Sequence, residues 1–199
     1  MKAPTQNFTR TLAPEGTHIA RVIGLIYIGT IKTSWKGEEK EMSKVRITWE
    51  LPTETFSFKE GEPEKPFVVS KEYTFSMGKK SNLRPVVEGI IGANLTDDEA
   101  YAFDLDEILG KASLLSVTHI DGENGKFVAI NSTAKLVKGM ECPPQVNETK
   151  VLSYEKWNEE YFNSLPSFIK EKIVSSKEYN AMKGTTPVVA DEDPNAIPF

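Results

Sequence analysis

The chain has almost no cysteine: Cys142 stands alone, so no internal disulfide can form, and in Glu-Cys-Pro-Pro no second thiol completes a metal site. Histidine is equally scarce. His18 and His119 lie far apart, each in a strand-like stretch without the paired spacing of metalloenzyme helices, so a structural role is expected for both, with no metal and no cofactor. Long apolar runs are missing too, the longest being Val22 to Ile28, whereas a helix crossing a bilayer needs about 20 residues. The polar opening MKAPTQNFTR has no signal-peptide core, and the expectation is a soluble protein of the cytoplasm with no membrane partner. Four Asn-x-Ser/Thr triplets, at Asn7, Asn94, Asn131 and Asn147, carry no weight without a secretory signal.

What is present is an uneven distribution of charge. The net charge of -5 argues at first against a nucleic-acid partner, since phosphates are neutralised by Lys and Arg. Residues 17 to 84, however, hold 12 Lys and Arg against 9 Asp and Glu, while residues 85 to 199 hold 10 against 19. The acidity belongs to the second half, and the first half is mildly basic.

Strand patterns dominate the first 140 residues. THIARVIGLIYIGTIK, residues 17 to 32, is β-branched and apolar, and Gly24 and Gly29 in it suit a bulge or bend in a long strand. A polar stretch over 33 to 42 reads as a loop, after which Val45, Ile47, Trp49 and Leu51 alternate with Arg46, Thr48 and Glu50. Residues 52 to 66, rich in Pro and Glu, read as an exposed loop, and PFVVSKEYTFSM as a third strand. Ser81 then caps a helix over NLRPVVEGIIG, stopped at Gly92, and a second short helix is expected from Asp104 to Leu109. KASLLSVTHI and KFVAINSTAKLV flank Asp121-Gly122-Glu123-Asn124-Gly125, a hairpin signal. Three strands, a helical connection and a two-strand hairpin make the order of a mainly β, five-stranded OB-fold barrel. The domain reading is an arm over 1–16, the barrel over 17–140, a helical extension over 141–183 and a tail over 184–199. Helices after Ser153 follow from the 3.6-residue period of Tyr154, Trp157, Tyr161, Phe162, Leu165, Phe168, Ile169 and Ile173. From Gly184 onward there is no period, and a disordered acidic tail is expected.

Single-strand binders join a positive groove to aromatic faces on which bases stack. Candidates here are Trp35 and Lys36 in the first loop, Arg46 and Trp49 in the second strand, Lys71, Tyr73 and Phe75 in the third, and Lys79, Lys80 and Arg84 just after it. Trp49 shares a face with Val45, Ile47 and Leu51, as a core residue would, whereas Trp35 in a polar loop has no core to enter. The terminus Asp191-Glu192-Asp193-Pro194-Asn195-Ala196-Ile197-Pro198-Phe199 offers acids that can compete with phosphate and an apolar end for a partner's pocket.

The terminal Ile197-Pro198-Phe199 after an acidic cluster resembles the single-stranded DNA-binding proteins, whose bacterial members end in that way. PEGTHIARVIGLIYIG, SKEYTFSMGKKSNLRPVVEG, FDLDEILGKASLLSV and LPSFIKEKI look most like the bacteriophage OB-fold type. The resemblance implies a protein that coats single-stranded DNA in replication, recombination or repair, catalyses nothing, and recruits partner proteins through Asp191, Glu192, Asp193, Ile197, Pro198 and Phe199. Departures are the spacer Pro194-Asn195-Ala196 and the helices after the barrel, which put the bacterial tetramer in doubt and leave a homodimer open. Two other classes stay in view. An adaptor would bind proteins alone. A nucleic-acid-processing enzyme would need a phosphate loop, a metal cluster or a nucleophile with its base, and the chain offers only Asp104, Asp106 and Glu107 at a helix start, where acids cap.

Overall fold

The computed structural model describes residues 11–35, 37–57, 61–122 and 125–184. Strand β1 (Gly16–Trp35) and strand β2 (Glu38–Phe56) are followed by β3 (Lys65–Thr74), helices α1 (Leu83–Ile91) and α2 (Asp97–Ala102), and a single 3-10 turn at Leu105–Ile108. Then come β4 (Ala112–Gly122), β5 (Gly125–Ala134), the short β6 (Lys150–Leu152), and helices α3 (Glu159–Ser164), α4 (Ser167–Val174) and α5 (Lys177–Met182). The strands form one mainly antiparallel sheet in the order β3-β2-β1-β4-β5, with β6 also on β1. The sheet does not close into a barrel: β3 and β5 are its two edges. No helix among the described residues is long and apolar enough to cross a membrane.

The alternation in β2 acts as its period requires, because successive side chains point to opposite faces. Val45, Ile47, Trp49 and Leu51 are all buried. Two expected loops are shorter than the composition suggests. β1 runs on to Trp35 and β2 starts at Glu38, since Gly37 at φ 82° supplies the backbone a tight turn needs. β2 also continues through Pro52 to Phe56, whose ring packs 5.9 Å from that of Phe67 on β3.

By internal contacts the chain forms two units. The first holds residues up to Leu25 and Arg46–Val151. In it β1 and β4 pair from Gly16 opposite Val117 to Arg21 opposite Ala112, and β4 and β5 pair with a bulge between Ser116 and Val117. Helix α1 ends as expected at Gly92, at φ 70°, whose N–H returns to the Glu88 carbonyl. At its start the Ser81 hydroxyl accepts from Leu83 N at 3.1 Å, while Asn82 occupies the cap position. Helix α2 was not foreseen, although Thr96 and Glu99 form a reciprocal capping box there. The helix expected over Asp104–Leu109 is only the 3-10 turn, with Asp104 accepting from Asp106 N.

The second unit holds the described residues of Ile26–Val45 and of 152–184. Ile26 and Ile28 of β1 pack with Leu152, Phe162, Leu165, Ile169 and Ile173, with Tyr154, Trp157, Tyr161 and Tyr179 around them. Glu178 ties α5 to β1. Its carboxylate accepts from Thr30 N at 2.6 Å, Thr30 Oγ1 at 2.7 Å and the Tyr27 hydroxyl at 3.2 Å. Burial by itself would raise this carboxyl, but the Thr30 amide and hydroxyl and the Tyr27 hydroxyl outweigh it and hold the group below its ordinary range. A depressed folded value stabilises the fold above the unfolded value of about 4.3, and that stability is lost as pH falls through the folded one. Glu178→Gln therefore lowers stability at pH 7 by about 1 kcal/mol, and its urea midpoint falls less steeply than the wild type's between pH 5 and 3. Parallel acid profiles would contradict this account of the tie.

Candidate functional site

Within the first unit, the two edges of the sheet, β3 and β5, flank a cleft. Lys71 of β3 donates from Nζ to the Ile130 carbonyl of β5 at 2.6 Å, so a side chain spans the seam. Beside it lies this cleft, of about 650 Å³. Its walls are Lys65 to Ser70 of β3, Lys126 to Val128 of β5, Arg46 and Phe56 of β2, Thr11 to Ala13, and Asn147. Three of these residues are cations, Arg46, Lys65 and Lys126, and among the described residues no acid lines the cleft. In a chain of net charge -5 that segregation is informative.

Two aromatic rings of the wall are accessible. Phe127 is 50 % exposed and Phe56 37 %. Phe127 stands opposite Ile120 in the β4–β5 pairing, and Lys126 opposite Asp121. A Cβ at Gly122 would come within 3.0 Å of the Phe127 ring, so the glycine of the hairpin leaves the space in which that ring lies. The Thr11–Ala13 wall is pinned by the histidines, His119 Nε2 meeting the Ala13 carbonyl at 2.8 Å and His18 Nε2 the Pro14 carbonyl at 2.9 Å. Arg46 has Glu72 at 3.6 Å, an ion pair that a bound phosphate would have to share.

Of the residues expected from sequence, Arg46 alone among the described ones lines this cleft. Trp49 is a correction: it is 0 % exposed and has no ring face to offer a base. Tyr73 is another. Its ring is buried, its hydroxyl meets no partner among the described residues, and burial pushes its pKa up. Lys71 is held at the seam by Ile130 and lies 5.3 Å over the Tyr73 ring, with burial lowering its pKa, so its ammonium straps β3 to β5. Arg84 is a clasp instead of a groove cation. It donates to Glu88 Oε1 at 3.0 Å, Asp97 Oδ1 at 2.8 Å and the Leu95 carbonyl, tying α1 to the start of α2. Lys79 pairs with Asp97 at 2.9 Å while staying exposed, and Phe75 and Lys80 are exposed in the connection between β3 and α1. The Trp35 side chain, Lys36 and the tail residues Asp191, Glu192, Asp193, Ile197, Pro198 and Phe199 lie outside the described residues.

Sequence reasoning missed Lys65, Lys126, Phe127 and Phe56. A signal existed for two of them: Lys126 and Phe127 directly follow the turn glycine of the hairpin, where side chains emerge at the tip of a two-stranded ribbon. Compared with known proteins, the chain matches no family model and no curated protein.

Proposed function

We propose that this protein binds single-stranded DNA in the cleft between β3 and β5, without catalysis, and recruits replication, recombination or repair proteins through its acidic C-terminal tail. The observation that carries the reading is the wall of the cleft, with Arg46, Lys65 and Lys126, no acid among the described residues, and exposed Phe56 and Phe127. Cations along a groove meet phosphates, and aromatic faces stack on unpaired bases, which a duplex keeps inside its own stack. Further support is topological. The order β3-β2-β1-β4-β5, with helices between β3 and β4, supports reading the sheet as an open relative of the OB-fold, a fold class that binds oligonucleotides.

The test is a titration of labelled oligothymidine at 50 and 200 mM salt. Three cations neutralising three phosphates of a single strand give a log–log slope of about -2, hence roughly a fifteenfold loss across that range. A flat dependence would sink the reading, and no binding at the lower salt would favour a protein adaptor. Run beside it, a chain ending at residue 184 binds the oligonucleotide more tightly, because the acids of the tail no longer compete with phosphate, and it captures no partner.

A further inference from the structure

Glu50 of β2 is 0 % exposed, and no cation faces it among the described residues. Burying an unpaired carboxylate is costly, so its hydrogen bonds must compensate. All of them come from one short stretch: Val146 N donates to Oε1 at 3.1 Å, and Asn147 N and Asn147 Nδ2 both donate to Oε2 at 2.6 Å. A backbone turn could be held by any carbonyl. What a carboxylate adds is selectivity toward donors, since both its oxygens only accept. An asparagine left to itself can turn its amide by half a rotation, exchanging oxygen for nitrogen. Facing Glu50, it has one choice: Nδ2 points at the carboxylate, and Oδ1 points away.

Asn147 also lines the cleft. Its Oδ1 is engaged by no donor among the described residues, and one N–H of its amide remains beside it. An oriented acceptor next to a donor matches the hydrogen-bonding edge of a base, the pairing asparagine makes with adenine in duplex DNA being one case. It does not match phosphate, which only accepts. Gln145 Nε2 holds the Asn147 carbonyl at 2.6 Å, so the main chain of this residue is fixed as well.

We propose that Asn147 reads the edge of an unpaired base in the cleft and that Glu50 is the positioning residue that fixes its amide; the inference rests on the single-strand-binding reading given above. Phe56 and Phe127 then supply stacking that tolerates any base, while Asn147 makes the contact that requires a base to be there.

The test compares oligothymidine with an abasic strand of equal length and charge. Asn147→Ala binds oligothymidine about tenfold more weakly than the wild type, loses nothing on the abasic strand, and keeps the wild-type salt slope, because no phosphate contact is removed. Glu50→Gln shows the same pattern with a smaller loss. The idea fails if Asn147→Ala binds oligothymidine as the wild type does, loses equally on both strands, or has a slope reduced by about 0.7, the mark of a phosphate contact. Should either variant not fold, the wild-type chain answers the question: the Asn147 side-chain amide signals in a nitrogen-15 spectrum move on adding oligothymidine and stay put with the abasic strand. Unmoved signals overturn the inference. A loss of affinity in Phe127→Ala but not in Asn147→Ala removes the inference and leaves the binding reading standing, whereas a wild-type chain that binds neither strand removes both.

Discussion

Replacing Phe127 with alanine lowers the affinity for oligothymidine between about fivefold and a hundredfold, with the salt slope unchanged. The range follows from the worth of one stacked base, about 1–3 kcal/mol, at about 1.4 kcal/mol per factor of ten. The choice of Phe127 over Phe56 follows from position. Phe127 is the more exposed of the two, at 50 %, and lines the same cleft as Lys126. Phe56 leans on Phe67 at 5.9 Å, so part of its face is already occupied by protein. A half-exposed ring with no aromatic partner among the described residues contributes little to stability, and the variant should unfold within about 0.5 kcal/mol of the wild type. The pairing of these two results is the discriminating one. A structural aromatic would lose stability and binding together, whereas a platform for bases loses binding alone. Lys126→Ala provides the contrast: its loss shows in the slope, reduced by about 0.7, because a phosphate partner has gone. If Phe127→Ala bound as the wild type, the seam between β3 and β5 would not be where bases stack.

The parts of this fold that sequence disclosed are those with a local cause. The strict alternation from Val45 to Leu51 fixed a buried face, and Gly92 fixed a helix end by the only backbone region that stops a helix so sharply. The paired glycines of 122 and 125 fixed a hairpin. The cleft was not legible, because it is assembled from β2, β3, β5, the segment before β1 and the β5–β6 connection, whose meeting is a tertiary event. Four of the aromatic and basic residues that the pattern singled out, Trp49, Lys71, Tyr73 and Arg84, are buried or engaged by the fold itself. Lys71 and Tyr73 share a face of β3, and that same pattern arises when a lysine stem runs along apolar neighbours to reach a carbonyl at its tip. Arg84 illustrates a related ambiguity. An arginine just after a strand can face phosphate or tie two helices together, and only the positions of Glu88, Leu95 and Asp97 decide between them.

Gly89→Ala has the largest expected effect on stability, and its sign is opposite to the usual one. Glycine inside a helix is ordinarily worse than alanine by about 0.5–1 kcal/mol, so the substitution commonly stabilises. At position 89, in the middle of α1, a Cβ would run into the carbonyl oxygen and hydroxyl of Thr133 and lie 2.7 Å from its carbonyl carbon. Two of these atoms belong to the backbone of β5, which has no rotamer to turn away. The Thr133 hydroxyl is itself committed, donating to the Val86 carbonyl of α1 at 2.7 Å, so helix and strand are already bonded at their closest approach. Accommodating a methyl group means moving α1 off β5, which strains packing at a cost of about 1–3 kcal/mol, here toward the upper end. For a chain of this size that lowers the melting temperature by about 5–10 °C, and the urea midpoint falls with an unchanged slope. Adding Thr133→Ala removes the hydroxyl but leaves the carbonyl in place, so it restores little. A Gly89→Ala chain as stable as the wild type would mean that α1 does not rest on β5. The strand that carries Lys126 and Phe127 to the cleft would then lack the support on which its position depends.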